Sequence, residues 1–118
     1  MSLAAKLQIK PGQRVRLVNA PRDFSLDAET ATGRDADGVL VFVANSGELA
    51  EHQAPALEHA RADRLAWIAY PKAGQLHTDL NRDILWQLLA DRGVRPVRQV
   101  ALDETWSALR FRRADDSG

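Results

Sequence analysis

Short apolar runs separated by polar stretches recur along the chain, and each run has the length of a strand. Residues 14–19 alternate, with Val15 and Leu17 on one face and arginines on the other. Such alternation predicts a half-solvated strand near a sheet edge. Residues 38–44 and 64–70 are mostly apolar on both faces, which predicts strands buried at the centre of a parallel sheet covered by helices.

Helices fit the segments that flank these strands. A first, short helix is expected over residues 3–9, because Pro11 disfavours helical geometry at the residue before it. Ser46 is the expected N-cap of a helix that extends to about residue 61. Pro55 predicts a kink or a late start within that helix, since a proline removes an amide donor from the helical ladder.

A further helix is predicted to begin at Thr78 or Asp79 and to be closed by Gly93. Its apolar side is expected to comprise Leu80, Ile84, Leu85, Leu88 and Leu89. At 100° per residue, Trp86 points away from that side and toward solvent. Aromatic anchors favour interfaces, so Trp86 is expected either to contribute to a homodimer or to pack on the N-terminal segment.

Two strands are predicted at the end of the chain, over residues 95–102 and 107–113, with a four-residue link between them. A link this short permits only an antiparallel hairpin. The order of elements predicts an α/β fold: an open sheet of about five strands, mostly parallel, with an antiparallel C-terminal hairpin and helices on the faces. We expect a single domain over residues 1–118, with a frayed tail at residues 114–118.

The composition narrows the function by exclusion. The 118 residues include 16 Lys and Arg against 16 Asp and Glu, so the formal net charge is zero, which argues against a protein built chiefly to hold nucleic acid. The absence of cysteine removes disulfides, cysteine nucleophiles and thiolate metal sites. No apolar stretch approaches the roughly 20 residues that cross a bilayer, and the N-terminus has no secretory core. We therefore expect a cytoplasmic protein without a membrane segment.

Three blocks of sequence carry a resemblance to a known family. They are residues 9–15 (IKPGQRV), residues 70–72 (YPK) with 78–80 (TDL), and residues 97–111 (VRQVALDETWSALRF). Over residues 7–112 the chain resembles the small bacterial proteins known as domain of unknown function 3052. More distantly, residues 10–15 and the C-terminal hairpin resemble class I methyltransferases. These resemblances imply a reduced Rossmann-like fold and supply no activity.

The loop after the first strand bears on whether a cofactor site is kept. Class I methyltransferases need glycines there, because the backbone must approach the cofactor closely. Residues 19–24 contain no glycine, and Pro21 lacks the N–H that binds a carboxylate or phosphate. The loop also lacks a dinucleotide fingerprint, and the chain has no Walker-type motif. Residues 20–37 have room for one crossover and a stub strand, so no cofactor is expected.

A set of polar and aromatic side chains is nevertheless expected at one edge of the sheet, where open α/β folds bind their ligands. The set comprises Asn19, Tyr70, Lys72, Asp103 and Trp106, with Asn45 nearby. A Tyr, a Lys and an Asp around a shallow cleft can bind a small anion or an aromatic ring. Alternatively, residues 70–72 shape a turn, while Asp103 and Glu104 satisfy exposed amides in the hairpin.

The histidines do not indicate a metal site. His52 and His59 lie seven residues apart, roughly 10.5 Å on a helix, which a single metal does not bridge. His77 has no second histidine beside it for zinc, so solvated histidines are expected. Arg110 and Arg112 share one face of the last strand, for which a solvated face is favoured over a nucleic-acid patch.

No enzyme class is indicated by these residues, and two functions are consistent with them. The first is a non-catalytic binding or interaction module of unknown ligand. The second is a degenerate nucleotide or S-adenosylmethionine-type binder that uses Asn19, Tyr70, Lys72, Asp103 and Trp106. Stabilisation by added ligands distinguishes the two, because a ligand bound to the native state raises its stability.

Overall fold

Six strands form one sheet in the computed structural model, which describes residues 2–33, 36–72 and 75–114. The strands are β1 (Arg14–Val18), β2 (Glu29–Ala31), β3 (Gly38–Phe42), β4 (Leu65–Pro71), β5 (Val94–Ala101) and β6 (Trp106–Arg113). The helices are α1 (Leu3–Lys6), α2 (Ser46–His52), α3 (Ala54–Arg61) and α4 (Arg82–Leu89), with a 3-10 turn at Gln75–His77. Within these ranges no helix has the length and apolar character needed to span a membrane. Of the predicted frayed tail, residues 115–118 lie outside the described residues.

The strand order is β2-β1-β3-β4-β6-β5. Strands β1 to β4 are parallel, and β6 runs antiparallel to both of its neighbours, β4 and β5. The predicted α/β class, the mostly parallel sheet and the antiparallel C-terminal pairing are thereby confirmed. The described sheet has six strands rather than about five, because the stub strand within residues 20–37 forms as β2 beside β1.

The link from β2 to β3 is shorter than a parallel crossover usually is. Residues 32–37 separate the two strands, whereas about a dozen residues are typical. The register explains the difference, since Ala31 lies opposite Arg16 while Gly38 lies opposite Val15. The start of β3 is therefore only about one residue behind the end of β2 along the strand direction. The link has to pass only the beginning of β1, which a short segment can do.

The two faces of the sheet are covered differently. Helices α2, α3 and α4 pack on one face, over a core that includes Val41 and Ile68. The N-terminal segment and residues 20–28 cover the other face, around Phe42 and Trp67. Strands β3 and β4 are buried along their whole length, as their apolar character on both sides predicts.

The N-terminal helix is shorter than predicted. It ends at Lys6, and Gln8 has a φ of 62°, which a right-handed helix cannot continue through. Leu7 and Ile9 nevertheless insert into the core. The indole Nε1 of Trp67 donates to the carbonyl of Leu7 at 2.9 Å, so a buried hydrogen bond fastens this segment to the sheet.

Two helices, α2 and α3, replace the single helix predicted to start at Ser46. Gln53 separates them, and Pro55 lies in the first turn of α3, so the predicted interruption at Pro55 is confirmed. The N-cap of α2 is Asn45 and not Ser46, because the Asn45 side chain accepts from the amide of Glu48 at 2.9 Å. Ser46 is the first helical residue, and its hydroxyl bonds to another loop.

Helix α4 begins later than predicted. Its N-cap is Asn81, whose side chain accepts from the amide of Ile84 at 2.8 Å. Neither Thr78 nor Asp79 caps the helix, because the hydroxyl of Thr78 accepts from the amide of Leu80 at 3.0 Å and Asp79 bonds to α2. The helix also ends before Gly93, with Ala90 as its C-cap.

The apolar side of α4 is only partly as predicted. Three of the five residues are buried: Leu80, Leu85 and Leu89. Ile84 and Leu88 are 37% and 42% exposed, so the prediction is wrong for these two. Helix α4 starts after Leu80, so Leu85 and Leu89 define the side of the helix that faces the sheet. Ile84 and Leu88 lie about 100° from that side around the helix axis. The outward direction predicted for Trp86 is confirmed, since 50% of its surface is exposed.

Candidate functional site

At the carboxyl end of β1, the side chain of Asn19 holds neighbouring elements together. Its Nδ2 donates to the carbonyl of Phe42 at 2.9 Å and to Oε1 of Glu48 at 3.0 Å. The same Glu48 oxygen accepts from the amide of Ala44 at 3.0 Å. Asn19 has a φ of 58°, in the left-handed region that asparagine tolerates better than most residues. The ends of β1 and β3 are thus closed onto α2 by the protein's own polar groups.

The beginning of α2 is also occupied by an internal acceptor. The carboxylate of Asp79 accepts from the amide of Ser46 at 2.9 Å and from its hydroxyl at 2.5 Å. These hydrogen bonds hold the pKa of Asp79 below its usual range, because they favour the charged carboxylate. We name the side chains that fill this region the strand-end network: Asn19, Asn45, Ser46, Glu48 and Asp79.

Tyr70 and Trp106 lie on opposite faces of the sheet. Tyr70 is buried in the core beneath the helices, and its hydroxyl accepts from Nε2 of Gln99 at 2.9 Å. Burial raises the pKa of Tyr70, because the phenolate loses solvation. Trp106 packs on the other core, edge-on to Phe42 with ring centroids 5.1 Å apart. The two side chains therefore do not face a common cleft.

Asp103 and Lys72 are tied to the hairpin between β5 and β6. Oδ1 of Asp103 accepts from the amides of Thr105 and Trp106, both at 2.8 Å, as in an Asx-type turn. The amide of Lys72 donates to the carbonyl of Thr105 at 2.8 Å, which joins the end of β4 to the hairpin. These are the contacts expected of residues that shape turns.

Two of the five candidate residues share a hollow. Asp103 and Trp106 line an open depression of about 230 Å³ together with Pro21 and Phe24. Small-molecule pockets are usually about 300–1,000 Å³, so this hollow is small for a cofactor. In the described part of the chain, the other three candidates do not line it.

A larger groove runs between α4 and the edge strand β5, with a volume of about 520 Å³. We name it the α4–β5 groove. Trp86 and Arg82 line it from the helix, and Pro96 and Val97 line it from the strand. Sequence reasoning singled out Trp86 and missed Arg82. The available signal was their spacing of four residues, which places both on one side of a helix.

Four arginines form a cross-strand cluster on β5 and β6, which we name the arginine ladder. Arg95 lies directly opposite Arg112, and Arg98 lies directly opposite Arg110. Directly opposite residues point to the same face, with their Cβ atoms about 5 Å apart. Arg110 and Arg112 share this face, as predicted, because they alternate with β6 residues that are buried beneath the helices. Arg110 and Arg112 therefore face away from α4, whereas Arg95 and Arg98, on the edge strand, also line the α4–β5 groove.

Sequence reasoning found two members of the ladder and missed Arg95 and Arg98. Positions 95 and 98 are an odd number apart, so a regular strand would place them on opposite faces. The register shifts between Pro96 and Arg98, and the extra residue brings both arginines to one face. Pro96 was the available signal, since a proline within a strand marks an edge or a bulge.

The inner half of the ladder has specific partners. Arg112 forms an ion pair with Oδ1 of Asp63 at 2.9 Å, and the guanidinium holds the pKa of Asp63 below its usual range. Arg110 donates from one terminal nitrogen to Oε1 of Gln8. Its Nε is buried and has no hydrogen-bond partner among the described residues. Burial lowers the pKa of Arg110, because the charged form is partly desolvated.

Two of the three histidines differ from the solvated state that was expected, and His77 is exposed as expected. His59 is buried, with Nδ1 3.1 Å from the carbonyl of Pro55 and Nε2 3.3 Å from the carbonyl of Ala36. It is buried because α3 packs directly over the start of β3. His52 is half-buried beside Glu51, at 3.7 Å. Over residues 2–33, 36–72 and 75–114, no group of three or more His, Asp or Glu could hold a metal.

Comparison of the chain with models of protein families, with curated proteins and with solved structures finds no match. The function is therefore inferred from the geometry of the residues themselves.

Proposed function

We propose that this protein is a small, non-catalytic binding or interaction protein and that its partner docks in the α4–β5 groove. The exposure of Trp86 carries the proposal, since 50% of this large side chain is open to solvent. Trp and Arg are the residue types that contribute most to protein interfaces, and Trp86 stands beside Arg82 in the groove. Both side chains project from a helix, so little conformational entropy has to be lost on binding.

The strand order supports a reduced Rossmann-like fold for this binding protein. Strand β6 runs antiparallel between two strands of the opposite direction, the feature by which the C-terminal half resembles class I methyltransferases. In such sheets ligands bind where the strand order reverses, here between β1 and β3. Asn19 and Glu48 close that position. We propose kinship with domain of unknown function 3052 and a cytoplasmic location, which a cysteine-free chain suits.

A second candidate function is a degenerate nucleotide or S-adenosylmethionine-type binder at the strand ends. The hollow beside Asp103 and Trp106 favours it, because it combines an aromatic ring with a carboxylate. Binding there requires a ligand to fit about 230 Å³, or the bonds between Asn19 and Glu48 to open. Two carboxylates of the strand-end network, Glu48 and Asp79, oppose the entry of a phosphate or carboxylate group.

Ligand screening separates the two candidate functions. Thermal unfolding is measured with S-adenosylmethionine, its demethylated product, nucleotides and dinucleotides at millimolar concentration. We expect no stabilisation. A ligand at one hundred times its Kd would add about 2.7 kcal/mol of stability, which shifts the Tm of a chain of this size by several degrees. A shift of that size, with NMR perturbations at Trp106, would replace the first function by the second.

Site-specific crosslinking tests the groove directly. A photoreactive phenylalanine analogue replaces Trp86 in cells that carry the gene, and the matched control carries it at Arg22, an exposed loop position. We expect a discrete crosslinked product from position 86 and none from position 22. Equal crosslinking at both positions, or none at either, would contradict docking in the groove.

A second copy of the chain is one candidate partner, and we propose a homodimer through Trp86 as the simplest form of the interaction. Light scattering at high micromolar concentration measures it. A dimer mass that Trp86→Ala reduces to a monomer would identify the second copy. A monomer in both variants would leave the groove for a different protein, which the crosslinking experiment detects.

A further inference from the structure

We propose that the arginine ladder binds the phosphate groups of an anionic ligand. This site lies on the face of β5 and β6 opposite the helices, and its two edge-strand members, Arg95 and Arg98, also line the α4–β5 groove. Its basis is the register that sets Arg95 against Arg112 and Arg98 against Arg110. Two adjacent like-charge pairs on a strand edge are an arrangement that folding alone does not favour.

The ladder costs the fold stability. Like charges directly opposite in an antiparallel pair are destabilising, and the ladder contains two such pairs side by side. Arg95 and Arg98 lie at exposed strand positions, which accept many residue types, so the fold itself does not require arginine at these two positions. A bound anion offsets the repulsion between the guanidinium groups, because it attracts all of them at once.

The charge of the ladder is not balanced locally. The ion pair with Asp63 neutralises Arg112, so four arginines less one carboxylate leave a charge of +3 within the ladder. No salt bridge joins Arg95 or Arg98 to a carboxylate of residues 2–33, 36–72 and 75–114. The excess is local, because the whole chain has no formal net charge.

Arg110 gives the site an ordered component. Its guanidinium is held by Gln8, and its buried Nε lacks a hydrogen-bond partner among the described residues. Gln8 adopts a φ of 62°, which directs the N-terminal segment over β6. A partly desolvated guanidinium interacts more strongly with an anion than one in bulk water does.

The space beside Arg110 accommodates a ligand. An open depression of about 560 Å³ adjoins it, lined by Arg110 of the ladder, by Lys10 and by the carboxylates of Asp37 and Asp63. The carboxylate of Asp37 accepts from the amide of Arg14 at 2.8 Å, so part of its charge is already engaged. Lys10 adds a further cation to the lining of the depression.

The chemistry of guanidinium groups favours phosphate over a single carboxylate. Arginine presents two parallel N–H donors that match two oxygens of one phosphate. A phosphate group has further oxygens and more charge, so it can engage two rungs of the ladder together. Strand neighbours two positions apart, such as Arg110 and Arg112, lie about 6.8 Å apart, within reach of one pyrophosphate.

Titration calorimetry and thermal unfolding of the full chain test this site. The probes are inorganic phosphate, pyrophosphate and a single-stranded oligodeoxythymidylate of about twelve nucleotides. Each is compared with sodium chloride at the same ionic strength. Stabilisation by phosphate or pyrophosphate supports a small phosphate-bearing ligand. Stabilisation by the oligonucleotide alone supports the phosphates of a polynucleotide. No stabilisation by any probe beyond that of chloride overturns the proposal.

Arg98→Glu is the decisive variant, because a purely structural ladder and a binding ladder predict different results. It converts the repulsion between Arg98 and Arg110 into attraction, so we expect its Tm to rise. We expect its affinity for the probes to fall by about tenfold or more, as one charge-assisted contact is lost and a repulsive one added. Arg22→Glu makes the same change of charge on an exposed loop and should alter neither quantity.

Two results would overturn the assignment to the ladder. One is unchanged affinity in Arg98→Glu, and the other is an equal loss of affinity in Arg22→Glu. Trp86→Ala should leave binding of the probes intact, because it removes no cation, even though Arg95 and Arg98 line the groove beside Trp86. The phosphate probes therefore test the ladder and crosslinking from position 86 tests the groove, so each proposal can fail without the other.

Discussion

Asp79 and Ser46, 33 positions apart in the sequence, are joined by two hydrogen bonds, from the Ser46 amide at 2.9 Å and from its hydroxyl at 2.5 Å. They fasten the loop that precedes α4 to the beginning of α2. The carboxylate also faces the positive end of the α2 dipole. The loop that precedes α4 thereby supplies an anion at the start of α2, at the edge of the sheet where open α/β sheets commonly hold a ligand.

Asp79→Ala should therefore lower the free energy of unfolding. The substitution leaves the amide and hydroxyl of Ser46 without an acceptor and removes a charge that complements the helix dipole. Urea denaturation monitored by circular dichroism measures the effect. The matched control is Asp91→Ala, because the Asp91 side chain is 91% exposed and should tolerate the change. Equal midpoints for the two variants would contradict the role assigned to Asp79.

The stability of the protein should decrease in acid through Asp79 and Asp63. Hydrogen bonds from Ser46 and from Arg112 respectively lower their pKa values below the usual 3.8. A lowered pKa in the folded state means that the unfolded chain binds protons more readily. The stabilisation is therefore complete above about pH 5 and is lost as the pH falls through 3.8 and below.

Thermal unfolding between pH 2 and pH 7 measures this dependence. The double variant Asp63→Asn, Asp79→Asn should show a flatter profile than the natural chain, because the two shifted carboxylates are absent. A profile that is steep in both chains would assign the acid sensitivity to other carboxylates. High salt should weaken the contribution of Asp63, since its ion pair with Arg112 is exposed.

The central strands could be predicted from sequence because their apolar character has one physical explanation. The apolar side chains of a run such as residues 38–44 are removed from water only if both faces of the strand are buried. Strand β3 is buried along its whole length. The edges of the fold were harder to predict. Residues 29–31 form β2 without an apolar pattern, because backbone pairing with β1 is sufficient for a short edge strand.

The candidate site was only partly predictable, because strand ends are adjacent in space without facing the same way. Tyr70 lies near the end of β4 and Trp106 begins the neighbouring strand β6, yet they point to opposite faces of the sheet. The contacts of Asn19 with Glu48 depend on where α2 begins, which was misplaced by one residue. Arg95 and Arg98 share a face only through a register shift, which no periodicity shows.

Gly38 and Gly12 should respond differently to alanine. A Cβ at Gly38 would lie 2.9 Å from Cβ of Leu65 and 3.2 Å from its carbonyl oxygen, so two central strands would have to separate. We expect Gly38→Ala to cost about 2–3 kcal/mol, as overpacking in a core does. Gly12 has a φ of 87° and open space around it, so Gly12→Ala should cost only about 1 kcal/mol of backbone strain.

Guanidinium denaturation of both alanine variants measures the difference. Unchanged m-values would show that stability alone has changed. A larger loss at Gly12 than at Gly38 would contradict the close approach of β3 to β4.

Trp67→Phe should release the N-terminal segment. The indole Nε1 of Trp67 donates to the carbonyl of Leu7 at 2.9 Å, and phenylalanine leaves that buried carbonyl without a partner and a cavity beside it. The combined cost should be about 2–4 kcal/mol. Hydrogen exchange should accelerate at residues 5–9 more than in β4. Trp106→Phe is the control, because no hydrogen bond of its indole connects it to that segment and Trp106 is only half-buried.

Asn19 combines two roles that substitution can separate. Asn19→Ala loses the bonds to Phe42 and Glu48 and also places alanine at a φ of 58°, which is unfavourable for a side chain with a Cβ. Asn19→Gly loses the same bonds but adopts this φ without strain. We therefore expect Asn19→Ala to be the less stable of the two by about 1 kcal/mol.

Both variants should still leave Glu48 on the amide of Ala44, so the strand ends stay partly closed and neither variant should gain affinity for S-adenosylmethionine. Urea denaturation gives the stability difference, and calorimetry gives the affinity. If Asn19→Gly bound S-adenosylmethionine, the side chain of Asn19 alone would be what closes the site. If alanine and glycine were equally stable, the left-handed conformation at position 19 would carry no strain.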